Sequence, residues 1–172
     1  MKFTKNQKKT IAIVGLGYVG LPLIIKFLKS KKYNIVGIDK DHKKISSLKK
    51  SKSYISHISN SEADYIKKNT KYLTGEYKRI KECDVVIFAL PTPITKNKDP
   101  DMSYIFSSLE SAKNYFRKDQ LIILESTVYP GVTEDECVPV LESFSGLKLN
   151  VDFFVGYSPE RINPGDKNNT LT

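Results

Sequence analysis

The stretch Thr10-Ile11-Ala12-Ile13-Val14-Gly15-Leu16-Gly17-Tyr18-Val19-Gly20 decides how the remainder of the chain is read. Residues 10–15 form a short apolar run closing on glycine, the pattern of a buried strand. From Val19 onward, Leu23, Ile24, Phe27 and Leu28 recur at helical spacing up to Lys31. Pro22 falls in the first helical turn, where a missing N–H has no partner to lose. Between strand and helix lies GxGxxG, weak as an isolated match but here in the strand–turn–helix context that a dinucleotide phosphate site requires. Gly15 permits the tight turn, Gly17 lets the backbone approach a pyrophosphate, and Gly20 allows the helix to pack closely on the strand. The free N–H groups and the positive end of the helix then hold the anion.

Outward from this turn the same alternation continues. Residues 34–39 (NIVGID) predict a second strand that ends at Asp39, about 20 residues after Gly20, where an acidic side chain accepts hydrogen bonds from an adenosine ribose. A carboxylate there repels a 2′-phosphate and favours NAD over NADP, although Lys40, Lys43 and Lys44 are cations that could accommodate a phosphate. Asp41 can cap the next helix, with Ile45 and Leu48 facing inward. Residues 51–61 read as a Ser-rich loop, followed by a weak helix over 62–68 and a short strand at Tyr72 and Leu73. Residues 84–90 (DVVIFAL) predict a strand that Pro91-Thr92-Pro93 stops. Ile105, Leu109, Ala112 and Phe116 mark a helix, and residues 121–125 a further strand. Thr133 and Glu136 have the spacing of a capping box opening the next helix, whose buried face carries Val138, Leu141 and Phe144. Residues 152–157 (DFFVGY) are the last predicted strand. Six apolar strands alternating with amphipathic helices imply an α/β fold: a doubly wound parallel sheet of the Rossmann type, in three α/β/α layers, occupying residues 1–172 as one domain.

Composition narrows the function. A chain of 172 residues with 40% hydrophobic and 27% charged residues suits one globular domain with a substantial core. Nothing approaches the roughly 20 apolar residues of a membrane span, and the basic N-terminus lacks a signal-peptide core, so no membrane association and a cytoplasmic location are expected. The net charge of +9 comes mostly from lysine, with arginine only at Arg79, Arg117 and Arg161. Those lysines are scattered and lack an aromatic base-stacking platform, so nucleic acid is not an expected partner. Cys83 and Cys137 have no CxxC spacing and no histidine pair nearby, which argues against a disulfide framework or a metal site. His42 and His57 sit among polar residues and read as surface side chains.

Ligands of such a sheet bind beyond the carboxyl ends of its strands. Three further motifs fall on that rim: PTP at 91–93, STVYPGVT at 126–133 and SPERINPGD at 158–166. Each taken alone is turn chemistry, because Pro, Gly, Ser and Asn are what tight turns use. Together with GLGYVGLP at 15–22, and in this order, they resemble the UDP-glucose/UDP-N-acetylhexosamine 6-dehydrogenase family, in particular its UDP-N-acetylglucosamine 6-dehydrogenase-like branch in bacterial capsule and O-antigen synthesis. The likeness covers nearly the whole chain.

The resemblance implies an NAD-dependent oxidation of a sugar 6-hydroxymethyl group to a carboxylate in two hydride transfers to two NAD, with a UDP-N-acetylhexosamine or UDP-hexose as substrate. It assigns Gly15, Gly17, Tyr18, Val19 and Gly20 to the pyrophosphate, Asp39 to the ribose and Lys44 to the adenosine end. Thr92 and Ser126 line the nicotinamide side, Thr127 also hydrogen-bonds the catalytic water, and Glu160 is the carboxylate that assists proton transfer and the final hydrolysis. Arg161 and Asn163 contact substrate or a partner chain. The resemblance also implies a thioester-forming cysteine, a central helix and a UDP-sugar domain, none of which this chain carries, and a homodimeric full-length protein. Neither Cys83 nor Cys137 matches that nucleophile, so both read as structural. The chain by itself is expected to bind NAD without turnover; a free-standing dinucleotide-binding module with a regulatory or scaffolding role is the alternative.

Overall fold

In the computed structural model, which describes residues 8–159, the strands that form are those of the most continuous apolar runs. In chain order the elements are β1 (Thr10–Val14), α1 (Gly20–Ser30), β2 (Asn34–Ile38), α2 (His42–Lys49), α3 (Asn60–Asn69), β3 (Tyr72–Thr74), a 3-10 helix (Tyr77–Glu82), β4 (Val85–Phe88), α4 (Ser103–Ala112), β5 (Leu121–Leu124), α5 (Val138–Ser145) and β6 (Phe154–Tyr157). The strands form one six-stranded sheet in the order β3-β2-β1-β4-β5-β6, with every neighbour parallel. The order reverses direction between β1 and β4, the switch point at which open α/β sheets bind ligands.

Strand periodicity divides the core. Ile11 and Ile13 of β1 and Ile35 of β2 point to one face, packing with Leu21, Ile24 and Leu28 of α1 and with Ile45, Leu48 and Ile66 of the next two helices. Ala12, Val14, Val36 and Ile38 point to the other, against Ile105 and Leu109 of α4 and Leu141 of α5. One residue of register decides which layer each side chain joins. Each fully buried Ile or Leu contributes about 1.5–3 kcal/mol, so the two layers together dominate the stabilisation of the sheet.

The helix starts show where local chemistry was legible. Asp41 caps α2, its carboxylate accepting from Lys43 N at 2.8 Å. The weakly patterned third helix begins at Asn60, because Ser59 and Glu62 form a reciprocal capping box in which Ser59 Oγ accepts from Glu62 N at 3.2 Å and Glu62 Oε2 from Ser59 N at 2.8 Å. The capping box expected at Thr133 and Glu136 does not form. A π-helical turn (Val132–Cys137) leads into α5, entered through Gly131 at φ 93°, and no side chain caps it. Thr133 is buried there, and Glu136 instead accepts from the Tyr129 hydroxyl. The helix expected to reach Phe116 ends at Ala112 and tightens into a 3-10 turn (Lys113–Tyr115).

At the amino-terminal rim a buried amide closes the core. Gln120, fully buried, donates from Nε2 to the carbonyls of Ile80 and Cys83, both at 2.9 Å, and accepts from Arg117 N at 2.9 Å. Replacing Gln120 by Leu leaves those groups without this partner inside the protein. We expect the Gln120→Leu chain to lose about 1–3 kcal/mol of stability in urea unfolding, with ligand binding at the opposite rim intact; unchanged stability would show that these bonds add nothing net.

Candidate functional site

The turn after β1 is built by exclusion of side chains. Gly15 sits at φ +98°, and a Cβ there would stand 2.3 Å from the Ala89 carbonyl oxygen. Its N–H donates to Ile38 O at 2.8 Å, so the turn is held between the ends of β2 and β4. A Cβ on Gly20 would lie 1.9 Å from Gly15 O, which is the close helix-on-turn contact expected of the last glycine. Gly17 differs from both, since a Cβ there would meet nothing within 4 Å. It borders open space, where a ligand can reach the backbone.

The first i→i−4 type bond into α1 runs from Leu21 N to Gly17 O at 3.1 Å. The N–H groups of the preceding residues have no acceptor within the helix, and no acidic side chain occupies its first turn. The partial positive charge of this helix end is therefore directed at the space beside Gly17.

Asp39 stands just past β2 and is only 6% exposed. Its Oδ2 accepts from Leu16 N at 2.8 Å and from Lys44 Nζ at 3.1 Å, and its Oδ1 accepts from Asp41 N at 2.9 Å. An ionised carboxylate offers about four acceptor positions. One remains for a ribose hydroxyl after these bonds. Lys44 is committed to Asp39 as an ion pair, and Lys40 Nζ lies 5.1 Å from the centre of the Tyr104 ring.

Beside these groups opens a crevice of about 540 Å³. Gly15, Gly17, Tyr18 and Val19 form one wall, Asp39, Lys40 and Asp41 follow the end of β2 with Lys44 beside them on α2, and Ala89, Leu90 and Pro91 close the β4 side. Tyr77, Tyr104 and Ser108 complete it, with the Tyr77 and Ser108 hydroxyls 3.0 Å apart. These last three were not anticipated. Tyr104 and Ser108 sit one helical turn apart on α4, and a buried serine on an otherwise apolar face was the available signal; Tyr77 lies in a 3-10 helix without periodicity.

The remaining rim residues stand outside the crevice lining. Ser126 is buried, accepts from Leu90 N at 3.1 Å and donates to Leu90 O at 2.7 Å, joining the loops after β4 and β5. Thr92 Oγ1 donates to the Thr127 carbonyl at 2.7 Å, and Thr127 itself is exposed. Glu160, Arg161 and Asn163 lie outside the described residues. Cys83 and Cys137 are both buried, and burial pushes their thiols up to about 12 and about 11. His42 and His57 are exposed. Among the described residues no group of three or more His, Cys, Asp or Glu could hold a metal ion, and no helix is long and apolar enough to cross a membrane.

An open glycine, an uncapped helix start and a carboxylate with one acceptor position left, all on one crevice, fit an adenine dinucleotide. The comparisons with known proteins agree. The model of the UDP-glucose/GDP-mannose dehydrogenase family, NAD binding domain, matches residues 9–172. The chain is 44% identical over 162 residues to UDP-N-acetyl-D-glucosamine 6-dehydrogenase of Salmonella typhi, covering 94% of this chain and 37% of that one. It is 43% identical to protein CapL of Staphylococcus aureus, over 96% of this chain and 38% of the relative. Among solved structures, NDP-N-acetyl-D-galactosaminuronic acid dehydrogenase from Methanosarcina mazei superposes with a TM-score of 0.83 at 30% identity, over 92% of this chain and 36% of that one. The chain thus spans a little over a third of the length of the curated relatives it matches.

Two of the three glycines separate binding from folding. Gly17→Ala should leave the unfolding midpoint unchanged while weakening NAD binding at least about tenfold, the factor for 1.4 kcal/mol, because its methyl group enters the ligand's space. Gly20→Ala should cost about 1–3 kcal/mol of stability through overpacking. Titration calorimetry and thermal unfolding of the two variants check both, and equal behaviour of the pair would contradict the distinction. Iodoacetamide at neutral pH should label Cys83 and Cys137 only as fast as the chain opens; rapid labelling of the native chain would show a reactive thiol.

Proposed function

The chain belongs to the UDP-glucose/GDP-mannose dehydrogenase family, as its NAD-binding domain, and from that premise we propose that it seats NAD for the oxidation of a UDP-N-acetylhexosamine at C6. The pyrophosphate lies on the turn formed by Gly15, Gly17, Tyr18, Val19 and Gly20. The adenosine ribose takes the remaining acceptor position on Asp39, and Lys44 borders the adenosine end. When bound, NAD would accept a hydride from the sugar carbon, one NAD for each of the two oxidations between hydroxymethyl and carboxylate.

The residues of this chain then position groups and handle protons. Thr92 and Ser126 hold the rim beside the nicotinamide, and Thr127 offers its hydroxyl to the reacting water. Glu160 assists proton transfer and the final hydrolysis, and Arg161 and Asn163 contact the substrate or a second copy of the protein. The complete protein, a cytoplasmic homodimer, supplies from its remaining length the sugar-binding domain and the cysteine nucleophile, and its product enters surface-polysaccharide synthesis. This reading is supported by the likeness at 44% identity to a UDP-N-acetyl-D-glucosamine 6-dehydrogenase.

One observation carries the assignment of the cofactor site: the crevice at the switch between β1 and β4 brings an unobstructed Gly17 together with the buried Asp39 carboxylate. The decisive experiment is titration calorimetry of the chain with NAD and with NADP. NAD should bind, and NADP should bind at least about tenfold more weakly, since Lys44 is already paired with Asp39. Asp39→Ala should weaken NAD by about 1–3 kcal/mol. Preference for NADP, or an unchanged affinity in the Asp39 variant, would overturn the ribose assignment. Mixing the chain with NAD and UDP-N-acetylglucosamine should give no sustained NADH absorbance; steady production would refute the need for a second domain.

A further inference from the structure

Leu16 is fully buried, yet both polar ends of its backbone are held by side chains from elsewhere in the fold. Its N–H donates to Asp39 Oδ2 at 2.8 Å, and its carbonyl accepts from Tyr54 Oη at 2.7 Å. Tyr54 stands in the irregular segment between α2 and α3, with its ring packed against the apolar cluster those helices share with α1. The Leu16 carbonyl and the Gly17 N–H belong to the same peptide unit. In a trans peptide plane the two point in opposite directions. Fixing the carbonyl from the Tyr54 side therefore fixes the direction of the Gly17 N–H on the other.

The same carbonyl also lies four residues before Gly20, at the spacing from which a helix extended back to Gly17 would accept the Gly20 N–H. The helix instead begins at Gly20, and the Leu16 carbonyl is served by the phenol. Burial, with the charges of Asp39 and Asp41 adding to it, pushes the Tyr54 phenol well above its ordinary range, so it remains a donor at neutral and moderately alkaline pH.

We propose that Tyr54 is a positioning residue for the dinucleotide pyrophosphate: by holding the Leu16–Gly17 peptide from behind, it keeps the Gly17 N–H presented to the crevice. The inference rests on the assignment of NAD to this site. It requires no contact between Tyr54 and the ligand, and it makes the loop between α2 and α3 part of the cofactor machinery.

The test compares Tyr54→Phe, which keeps the ring and removes only the hydroxyl, with Tyr65→Phe, a tyrosine packed on the same cluster. Binding of ADP-ribose, which carries the pyrophosphate, and of adenosine, which lacks it, is followed by calorimetry or NMR titration, with circular dichroism as the check on folding. Tyr54→Phe should lose about fivefold in affinity for ADP-ribose, the factor for one hydrogen bond of about 1 kcal/mol, and none for adenosine. Tyr65→Phe should lose neither. Equal losses for both ligands, or no loss for ADP-ribose, overturn the positioning role while leaving the NAD site standing. Failure of the unmutated chain to bind either ligand removes the NAD assignment and this inference with it. A second measurement needs no variant: ADP-ribose, and not adenosine, should slow amide exchange at Gly17, and an unchanged rate with ADP-ribose bound would count against the proposal.

Discussion

The carboxyl rim of this domain depends on how closely the chain turns between β1 and α1. Gly15 is caught between the ends of two neighbouring strands, with its N–H on Ile38 and its α-carbon against the Ala89 carbonyl. Gly20 in turn lies against Gly15. A methyl group at either position would drive the helix off the sheet, because backbone atoms have nowhere to move in a close-packed interior. Once those two contacts are made, the start of α1 is fixed relative to β4 and β2, and the position of Gly17 in the open gap between them follows. The site is thus a consequence of packing rather than an addition to it.

The Asp39 carboxylate converts that packing into a charged site. A carboxylate buried to this depth needs hydrogen-bond partners, since taking it out of water unpaired is costly. Its donors come from three directions: the glycine turn through Leu16 N, the entry to α2 through Asp41 N, and the body of α2 through Lys44 Nζ. Asp39 therefore couples the glycine turn to the helix that follows β2. Lys44 offsets much of the local negative charge, so the crevice meets a ligand with a paired carboxylate rather than a bare one.

What was legible in the sequence follows from which interactions are local. The central strands were readable because each is a largely apolar run bounded by turn residues, as parallel strands covered on both faces require, whereas the edge strand β3 is three residues with only Leu73 buried. The glycine turn was readable because its three constraints fall within six residues. Caps were readable only in part. Asp41 caps α2 as expected, and the capping box that does form, Ser59 with Glu62, lies where the sequence reads as a Ser-rich loop up to residue 61. Thr133 and Glu136 carry the spacing of a capping box and do not form one. The difference lies upstream: Gly131 in the left-handed region starts a wider turn that takes Thr133 into the core before any cap geometry arises. Tyr54, Tyr77 and Gln120 were not legible at all, since their partners lie 38, 31 and 37–40 residues away and no local pattern records such pairings.

Three long-range hydroxyls at this rim, unlike the Tyr77–Ser108 pair, hold backbone rather than other side chains. Ser126 grips both polar groups of Leu90, Thr92 holds the Thr127 carbonyl, and Tyr54 holds that of Leu16. A loop carrying function must expose some backbone donors while the rest stay satisfied, and secondary structure cannot supply partners beyond the ends of the strands. Side-chain hydroxyls supply them here, fixing the loops after β1, β4 and β5 without covering the crevice between them. A rim held in this way loses little conformational freedom when a ligand arrives, which leaves more of the contact energy available for affinity. It also explains why hydroxyl side chains are frequent in the motifs of this rim: several are there to shape the backbone that a ligand meets, and their identity in the sequence signals the site even where they line none of it.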